Sequence, residues 1–108
     1  MISDKAKELI AGGEGQTVEF KSISGGQLGD SLFETISAFS NRYGGHILIG
    51  VADDGSVLGI NPNASEDLRR NFSKRVSNPE VMLPPVCLGL KEIDIDGKLI
   101  LSLYVPPH

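Results

Sequence analysis

The chain has 108 residues, of which 40% are hydrophobic and 22% are charged, and its formal net charge is −4. This composition fits one globular domain, no apolar run approaches the length needed to span a bilayer, and the first residues lack the basic-then-apolar form of a signal peptide. A single cysteine, Cys87, excludes an internal disulfide, is compatible with the cytoplasm and, with two histidines, leaves a structural zinc site unsupported.

The first half of the chain alternates between helical and extended patterns. We expect a short helix over residues 3–10, a strand over 17–22, a glycine-rich loop over 23–29, an amphipathic helix over 30–43 and a strand over 47–51. The apolar stripe of the second helix is Leu32, Ile36, Phe39 and Tyr43. The strand over 47–51 is apolar on both faces, which predicts a central strand covered on both sides.

The second half predicts a hairpin, a helix and a second hairpin. Asp54-Gly55 is a turn signal that returns the chain through residues 56–60. Asn63 with Glu66 three positions later predicts the start of a helix that ends before residues 78–79. Strands over 86–95 and 98–105 are joined by Asp96-Gly97. The order α-β-α-β-β-α-β-β predicts an α/β (α+β) fold with helices packed on a mixed, mostly antiparallel sheet.

The chain stops soon after its last predicted strand. A strand at the end of a domain needs a partner for its free edge. We therefore expect residues 1–108 to be a single domain from the N-terminal part of a longer protein. Alternatively, a second copy of the chain could cover this open edge in a homodimer. The function of the domain would then be to mediate assembly.

Carboxylates form the most informative pattern. Glu19 and Lys21 alternate on one face of a strand, which is the local form of the Glu-x-Lys element of metal-dependent nucleases. Such a pair is more often a solvated surface ion pair. Asp53 lies at the end of the buried strand and Glu14 in the loop before the first strand, so both could join Glu19 at a shared Mg²⁺ or Mn²⁺ site. Turn chemistry alone also explains an aspartate at position 53.

Phosphate-binding candidates lie on two helices. Asn41 and Arg42 are at a helix end, next to a Gly44-Gly45 pair that either caps the helix or allows close approach of a phosphate. The third helix carries a basic group that is either a phosphate track or a solvated face, formed by Arg69, Arg70, Lys74 and Arg75. ATP binding of the P-loop kind is not expected, because Gly12-Gly13-Glu14-Gly15 lacks the Gly-Lys-Ser/Thr ending.

In order and spacing these motifs resemble the Schlafen AlbA-type domain family, also catalogued as a divergent AAA-like domain. The family pattern is Glu, four residues and Glu-Phe-Lys, then a helix ending near Asn-Thr-x-Gly-Gly, an Ile-x-Ile-Gly-Val strand and an Asp-Asp-Gly hairpin. The matching segments here are Glu14, 19–21, 38–45, 47–51 and 53–55. Arg42 stands where a small hydroxyl residue is usual.

The resemblance implies an α/β domain described as DNA-binding and common in bacterial regulators. Some animal members cleave structured RNA with three carboxylates and a divalent metal, in two related lobes. Those carboxylates fall on Glu14, Glu19 and Asp53, with Lys21 as a helper. We expect a nucleic-acid-binding module, for DNA or RNA, of a cytoplasmic transcriptional regulator that uses Lys21, Asn41, Arg42 and the basic third helix. The alternative is a Mg²⁺- or Mn²⁺-dependent nuclease.

Overall fold

The computed structural model describes residues 2–23, 30–76 and 89–107. Their elements, in chain order, are α1 (Ile2–Gly12), β1 (Val18–Lys21), α2 (Asp30–Ser40), β2 (Gly45–Ile49), α3 (Pro62–Val76), β3 (Lys91–Ile95) and β4 (Lys98–Val105). The strands form one sheet in the order β1-β2-β4-β3, in which β1 and β2 are parallel and the other two pairs antiparallel. The predicted mixed, mostly antiparallel α+β fold is confirmed.

The sheet is covered on both faces. One apolar layer joins α2 and α3 to the sheet and contains Phe39, Phe72 and Leu103, all buried. The other joins α1 to the opposite face and contains Ala6 and Ile100. Because alternate strand residues point to opposite faces, β2 and β4 contribute to both layers, whereas the apolar residues of β1 and β3 pack in the layer of α1.

Strand β2 lies inside the sheet, as its sequence predicts. Ile47, Leu48 and Ile49 are each at most 1% exposed. Ile47 and Ile49 pack in the layer of α2 and α3, whereas Leu48 packs in the layer of α1. A strand between two helical layers needs apolar side chains at every position.

Two local predictions differ from the structure in the segment that follows β2. The return segment 56–60 forms only an isolated bridge between Val51 and Val57 instead of a full strand. Helix α3 begins at Pro62, and its N-cap is Asn61, whose Oδ1 accepts a 2.9 Å hydrogen bond from the backbone N–H of Asn63. Proline suits the first helical position because its missing N–H would have no partner there.

Two further differences concern exposure and the sheet edge. Helix α2 ends at Ser40, so Tyr43 lies beyond the helix and is 73% exposed instead of belonging to its apolar stripe. Strand β4 pairs on both sides, with β2 and β3, so the expected free edge is not on the last strand. In the described part of the chain, the outer strands of the sheet are β1 and β3.

Some predictions fall outside the described residues. These are the loop over 24–29, the helix end at 78–79, Cys87 and the beginning of the strand expected over 86–95. Among the helices described, none combines the length and the apolar character required to cross a membrane.

Candidate functional site

Glu19 projects from the outer strand β1 toward α2. Strand alternation sends Val18 and Phe20 into the layer of α1 and leaves Glu19 and Lys21 on the other face. The hydroxyl of Thr35 on α2 donates a 2.8 Å hydrogen bond to Glu19 Oε2. Lys21 Nζ lies 3.2 Å from the same oxygen, so Glu19 is held from two sides.

Glu14 lies close to two other carboxylates. Glu14 is exposed, but the slight burial that it has raises its pKa, and the neighbouring charges of Asp53 and Glu19 raise it further. A hydrogen bond shared with Asp53 acts in the same direction, whereas one from the backbone of Phe20 opposes it. Glu14 thus lies near both Asp53 and Glu19, and we call these three residues the carboxylate cluster.

The members of the carboxylate cluster differ in their protonation equilibria. Burial alone would raise the pKa of Glu19, but hydrogen bonds from Thr35 and Lys21 and the charge of Lys21 outweigh it and lower the pKa. Glu14 therefore takes up a proton before Glu19 as the pH falls. Burial and the two negative charges beside Glu14 are the cause, whereas the charge of Lys21 acts on Glu19.

The carboxylate cluster has donor atoms that suit Mg²⁺ or Mn²⁺, because both prefer oxygen ligands. However, among residues 2–23, 30–76 and 89–107 no three or more His, Cys, Asp or Glu side chains are arranged to hold a metal ion. Glu19 Oε2 is already engaged by a hydroxyl and an ammonium group. A metal at these residues remains a prediction that requires Lys21 to move away from Glu19.

A Glu14→Gln variant is expected to be more stable than the original chain at neutral pH, by about 0.2–1 kcal/mol. Glutamine keeps an acceptor for Phe20 and removes the charge next to Asp53 and Glu19. The native pKa of Glu14 is raised, so its ionisation costs stability as the pH rises through that value. The gain should therefore vanish near pH 3, as urea unfolding at the two pH values would measure.

The matched control for this variant is Glu34→Gln, which removes one negative charge from an exposed position on α2. If both variants gain the same stability at neutral pH, the gain reflects the net charge of the chain. In that case close contact between Glu14 and its neighbouring carboxylates would be contradicted.

Asn41 and Arg42 lie in an exposed turn that follows α2. With Gln16 and Tyr43 they line an open depression of about 480 Å³. The turn is fixed by backbone hydrogen bonds from Arg42 and Gly44 to the carbonyl of Phe39, of 3.1 and 2.8 Å. Gln16 and Tyr43 were not predicted as site residues. Gly44, a residue type that often follows a helix end, is the signal that could have placed Tyr43 outside the helix.

The basic residues of α3 have partners within the chain. Arg69 lies 3.7 Å from Glu92, and Arg70 lies 3.4 Å from Glu66 and 3.2 Å from Asp67. The guanidinium of Arg75 lies 4.3 Å from the ring centroid of Phe33. Lys74 is exposed. A role of this face in binding phosphates remains a prediction, and local ion pairs offset part of its charge.

The Gly44-Gly45 pair is explained by contacts inside the protein. A Cβ on Gly44 would lie 2.5 Å from the carbonyl oxygen of Val105, and one on Gly45 would lie 2.7 Å from the carbonyl oxygen of Thr17. Both glycines are buried. The pair thus positions the exposed turn beside the ends of β1 and β4, and direct contact with a phosphate is not needed to explain it.

Comparisons with known proteins give a family from one family model and a fold from solved structures. The profile of the Schlafen AlbA_2 family matches residues 14–108. Comparison with curated proteins gives no match.

Two solved structures resemble the chain at low sequence identity. One is the N-terminal domain of a protein from Nitrosomonas europaea that is named as related to the ATP-dependent DNA helicase RecG. It is 24% identical with a TM-score of 0.69, over 94% of this chain and 72% of that one. The other is the DIP2311 protein of Corynebacterium diphtheriae, 18% identical with a TM-score of 0.62, over 97% of this chain and 25% of that one. At these identities the likeness establishes the fold.

Proposed function

Since the chain belongs to the Schlafen AlbA_2 family, we propose that it is a nucleic-acid-binding module whose contact surface is the exposed turn at Asn41, Arg42 and Tyr43. The observation that carries the proposal is the pairing of an exposed arginine with a 73% exposed tyrosine at the rim of one depression. A guanidinium pairs with phosphate oxygens, and an aromatic ring stacks on a base.

The net charge of −4 supports a localised contact. A basic domain attracts nucleic acid over its whole surface, whereas this chain would rely on a few side chains. The carboxylate cluster would repel a phosphate backbone unless Lys21 or a cation screens it. We therefore place the backbone over Arg42 and the neighbouring polar groups Asn41 and Gln16, rather than over Glu14.

The expected result is weak, salt-dependent binding of a single-stranded oligonucleotide. Tyr43→Ala is expected to lower the affinity by roughly tenfold, since stacking contributes about 1–3 kcal/mol per base. Arg42→Ala should lower the affinity and reduce the slope of log K against log salt by about 0.7. Fluorescence anisotropy with labelled DNA and RNA at several salt concentrations measures both effects.

The matched control is Lys7→Ala, which removes a positive charge from an exposed side chain that pairs with Asp96 at 3.2 Å. A Lys74→Ala variant tests the surface of α3. Loss of affinity in Lys74→Ala with none in Arg42→Ala would move the interface to α3. No binding by the original chain at low salt would contradict the proposal and leave an assembly domain as the function to test.

In its finer form, we propose that the module binds DNA within a transcriptional regulator. A homodimer through an outer strand of the sheet would place two turns on one DNA molecule. In the part of the chain that the structure describes, β3 is the more exposed of the two outer strands. The outer edge of β1 is partly used, because Gly15 N–H donates to the Val18 carbonyl at 3.0 Å and Glu14 accepts a backbone hydrogen bond from Phe20.

A divalent-metal-dependent nuclease is the second candidate function. It is favoured by the closeness of Glu14 to both Asp53 and Glu19. If Lys21 were displaced, these carboxylates would supply oxygen ligands for Mg²⁺ or Mn²⁺, and such a metal would activate water and neutralise phosphate charge. Lys21 would then be free to contact the scissile phosphate.

A further inference from the structure

A second cavity lies on the opposite face of the sheet, beside α1. Its volume is about 470 Å³, within the range of roughly 300–1,000 Å³ that is usual for small-molecule sites. Its apolar part is formed by Ala6, Leu9 and Ile93. None of these residues takes part in the carboxylate cluster or in the exposed turn.

The strands place an aromatic pair at this cavity. His46 of β2 and Tyr104 of β4 are direct partners in the antiparallel register. Their rings lie 5.1 Å apart between centroids at an angle of 48°. Tyr104 is nevertheless 53% exposed. One edge of this ring pair therefore remains available to a flat ligand, since aromatic rings favour offset or tilted contacts at about 4.5–7 Å.

Positive charge borders the same cavity from two elements. Lys5 of α1 and Lys91 of β3 both line it and are exposed, and Ser102 of β4, the register partner of Lys91, adds a hydroxyl. Burial lowers the pKa of His46, and the charge of Lys5 lowers it further. A cavity with an aromatic wall, an apolar floor and two ammonium groups has the chemistry to accept a planar ring that carries an anionic group.

We propose that this cavity is a nucleotide site, in which a base packs against Tyr104 and His46 and a phosphate lies between Lys5 and Lys91. The same chemistry is offered by a free nucleoside monophosphate and by the end of a single strand. The site is distinct from the exposed turn, since the two depressions share no lining residue.

The test is NMR observation of the His46 and Tyr104 side chains while the chain is titrated with AMP, adenosine or a short oligonucleotide. The chain has only two histidines and two tyrosines, so each signal can be assigned by substitution. We expect AMP to shift both signals and to raise the pKa of His46, because its phosphate offsets the charges of Lys5 and Lys91, the other groups that line the cavity with Tyr104. Adenosine should bind at least about tenfold more weakly.

Variants separate the two parts of the site. Lys5→Ala should lower the affinity for AMP and leave the affinity for adenosine unchanged. The matched control Lys7→Ala, on the same helix, should change neither affinity. Tyr104→Leu keeps an apolar contact for His46 and should weaken both ligands by roughly tenfold.

The outcomes distinguish the sources of the ligand and the two proposals. Shifts with AMP support a free nucleotide, and shifts with the oligonucleotide alone support a strand end. If neither ligand shifts the two signals, or if Lys7→Ala weakens AMP as much as Lys5→Ala, the site is refuted. Anisotropy with Arg42→Ala and Tyr43→Ala tests the turn separately, so each proposal can fail alone.

Discussion

Replacement of Gly44 by alanine is expected to lower the free energy of unfolding by at least about 2 kcal/mol. Gly44 has a φ of 75°, in the left-handed region that an alanine avoids. Its added Cβ would also lie 2.5 Å from the carbonyl oxygen of Val105 and 2.9 Å from the backbone nitrogen of Pro107. Because these are backbone atoms at the end of β4, relief of the clash would require the strand to shift.

Thermal unfolding measures this effect as a drop in Tm of about 8–16 °C. The control is Gly12→Ala, since nothing lies within 4 Å of a Cβ built at Gly12. That variant should stay within about 0.5 kcal/mol of the original chain. A Gly44→Ala variant that melts at the original temperature would contradict the close packing of the turn against β4.

The same variant connects packing with the proposed function. Gly44 donates a 2.8 Å hydrogen bond to the carbonyl of Phe39 and thereby closes the turn that carries Arg42 and Tyr43. Movement of Gly44 would displace both side chains. At a temperature where most Gly44→Ala molecules remain folded, we therefore expect a loss of oligonucleotide affinity. This loss should be larger than the small unfolded fraction alone would cause.

Strands β2 and β4 could be predicted well because their patterns are local. The run of apolar residues 47–51 requires a strand covered on both faces, and the alternation along Lys98–Val105 requires one apolar face at least. Asp96-Gly97 predicts a two-residue hairpin, and the structure has positive φ values of 53° and 87° at these two positions. In each case a neighbouring pair of residues or a simple period determines the geometry.

The end of α2 could not be read in the same way. Tyr43 has the spacing of the apolar stripe, but the helix ends at Ser40 because the chain must turn into β2 at Gly44 and Gly45. That turn is determined by contacts with Thr17 and Val105, which are distant in sequence. Helical periodicity carries no information on such contacts, so the exposed aromatic side chain was missed.

The carboxylate cluster was predictable in membership but not in partners. Parallel pairing of β1 with β2 places Asp53, which follows β2, near the end of β1. Glu14 reaches the same end because the segment before β1 folds back along this strand, where Gly15 bridges Val18. The hydroxyl of Thr35 is a different matter, since its contact with Glu19 depends on how α2 packs over the sheet. Likewise, the acidic partners of Arg69 and Arg70 could not be separated from a free basic surface by composition alone.

Lys21→Met is expected to destabilise the chain by about 1–2 kcal/mol at neutral pH, more than an exposed ion pair would contribute. Only 23% of the Lys21 side chain and 31% of the Glu19 side chain are exposed, and their charged atoms lie 3.2 Å apart. The native pKa of Glu19 is lowered, so its contribution is present above its ordinary pKa and is lost as the pH falls through the lowered value. The difference in the free energy of unfolding between the variant and the original chain should therefore become smaller in acid.

Manganese should stabilise the Lys21→Met variant and have little effect on the original chain. In Lys21→Met the carboxylate cluster lacks the ammonium group that engages Glu19 Oε2, so a divalent cation could use that oxygen. We expect Mn²⁺ at ten times its dissociation constant to raise the stability of the variant by about 1.4 kcal/mol, and to leave the original chain nearly unchanged. Calorimetry with and without Mn²⁺ measures this change in stability. The control is Lys98→Met, which removes an exposed ammonium group that donates a 3.1 Å hydrogen bond to the Val57 carbonyl.

The reverse result would favour the nuclease. If Mn²⁺ stabilises the original chain strongly, and Glu19→Ala abolishes that effect, then a metal displaces Lys21 from Glu19 without a substitution. Cleavage of RNA or DNA that depends on Mn²⁺ and disappears in Glu19→Ala would then identify the carboxylate cluster as an active site. Binding without cleavage, together with a cation effect confined to Lys21→Met, would show that Lys21 takes the place of the metal and that this lobe binds nucleic acid without cutting it.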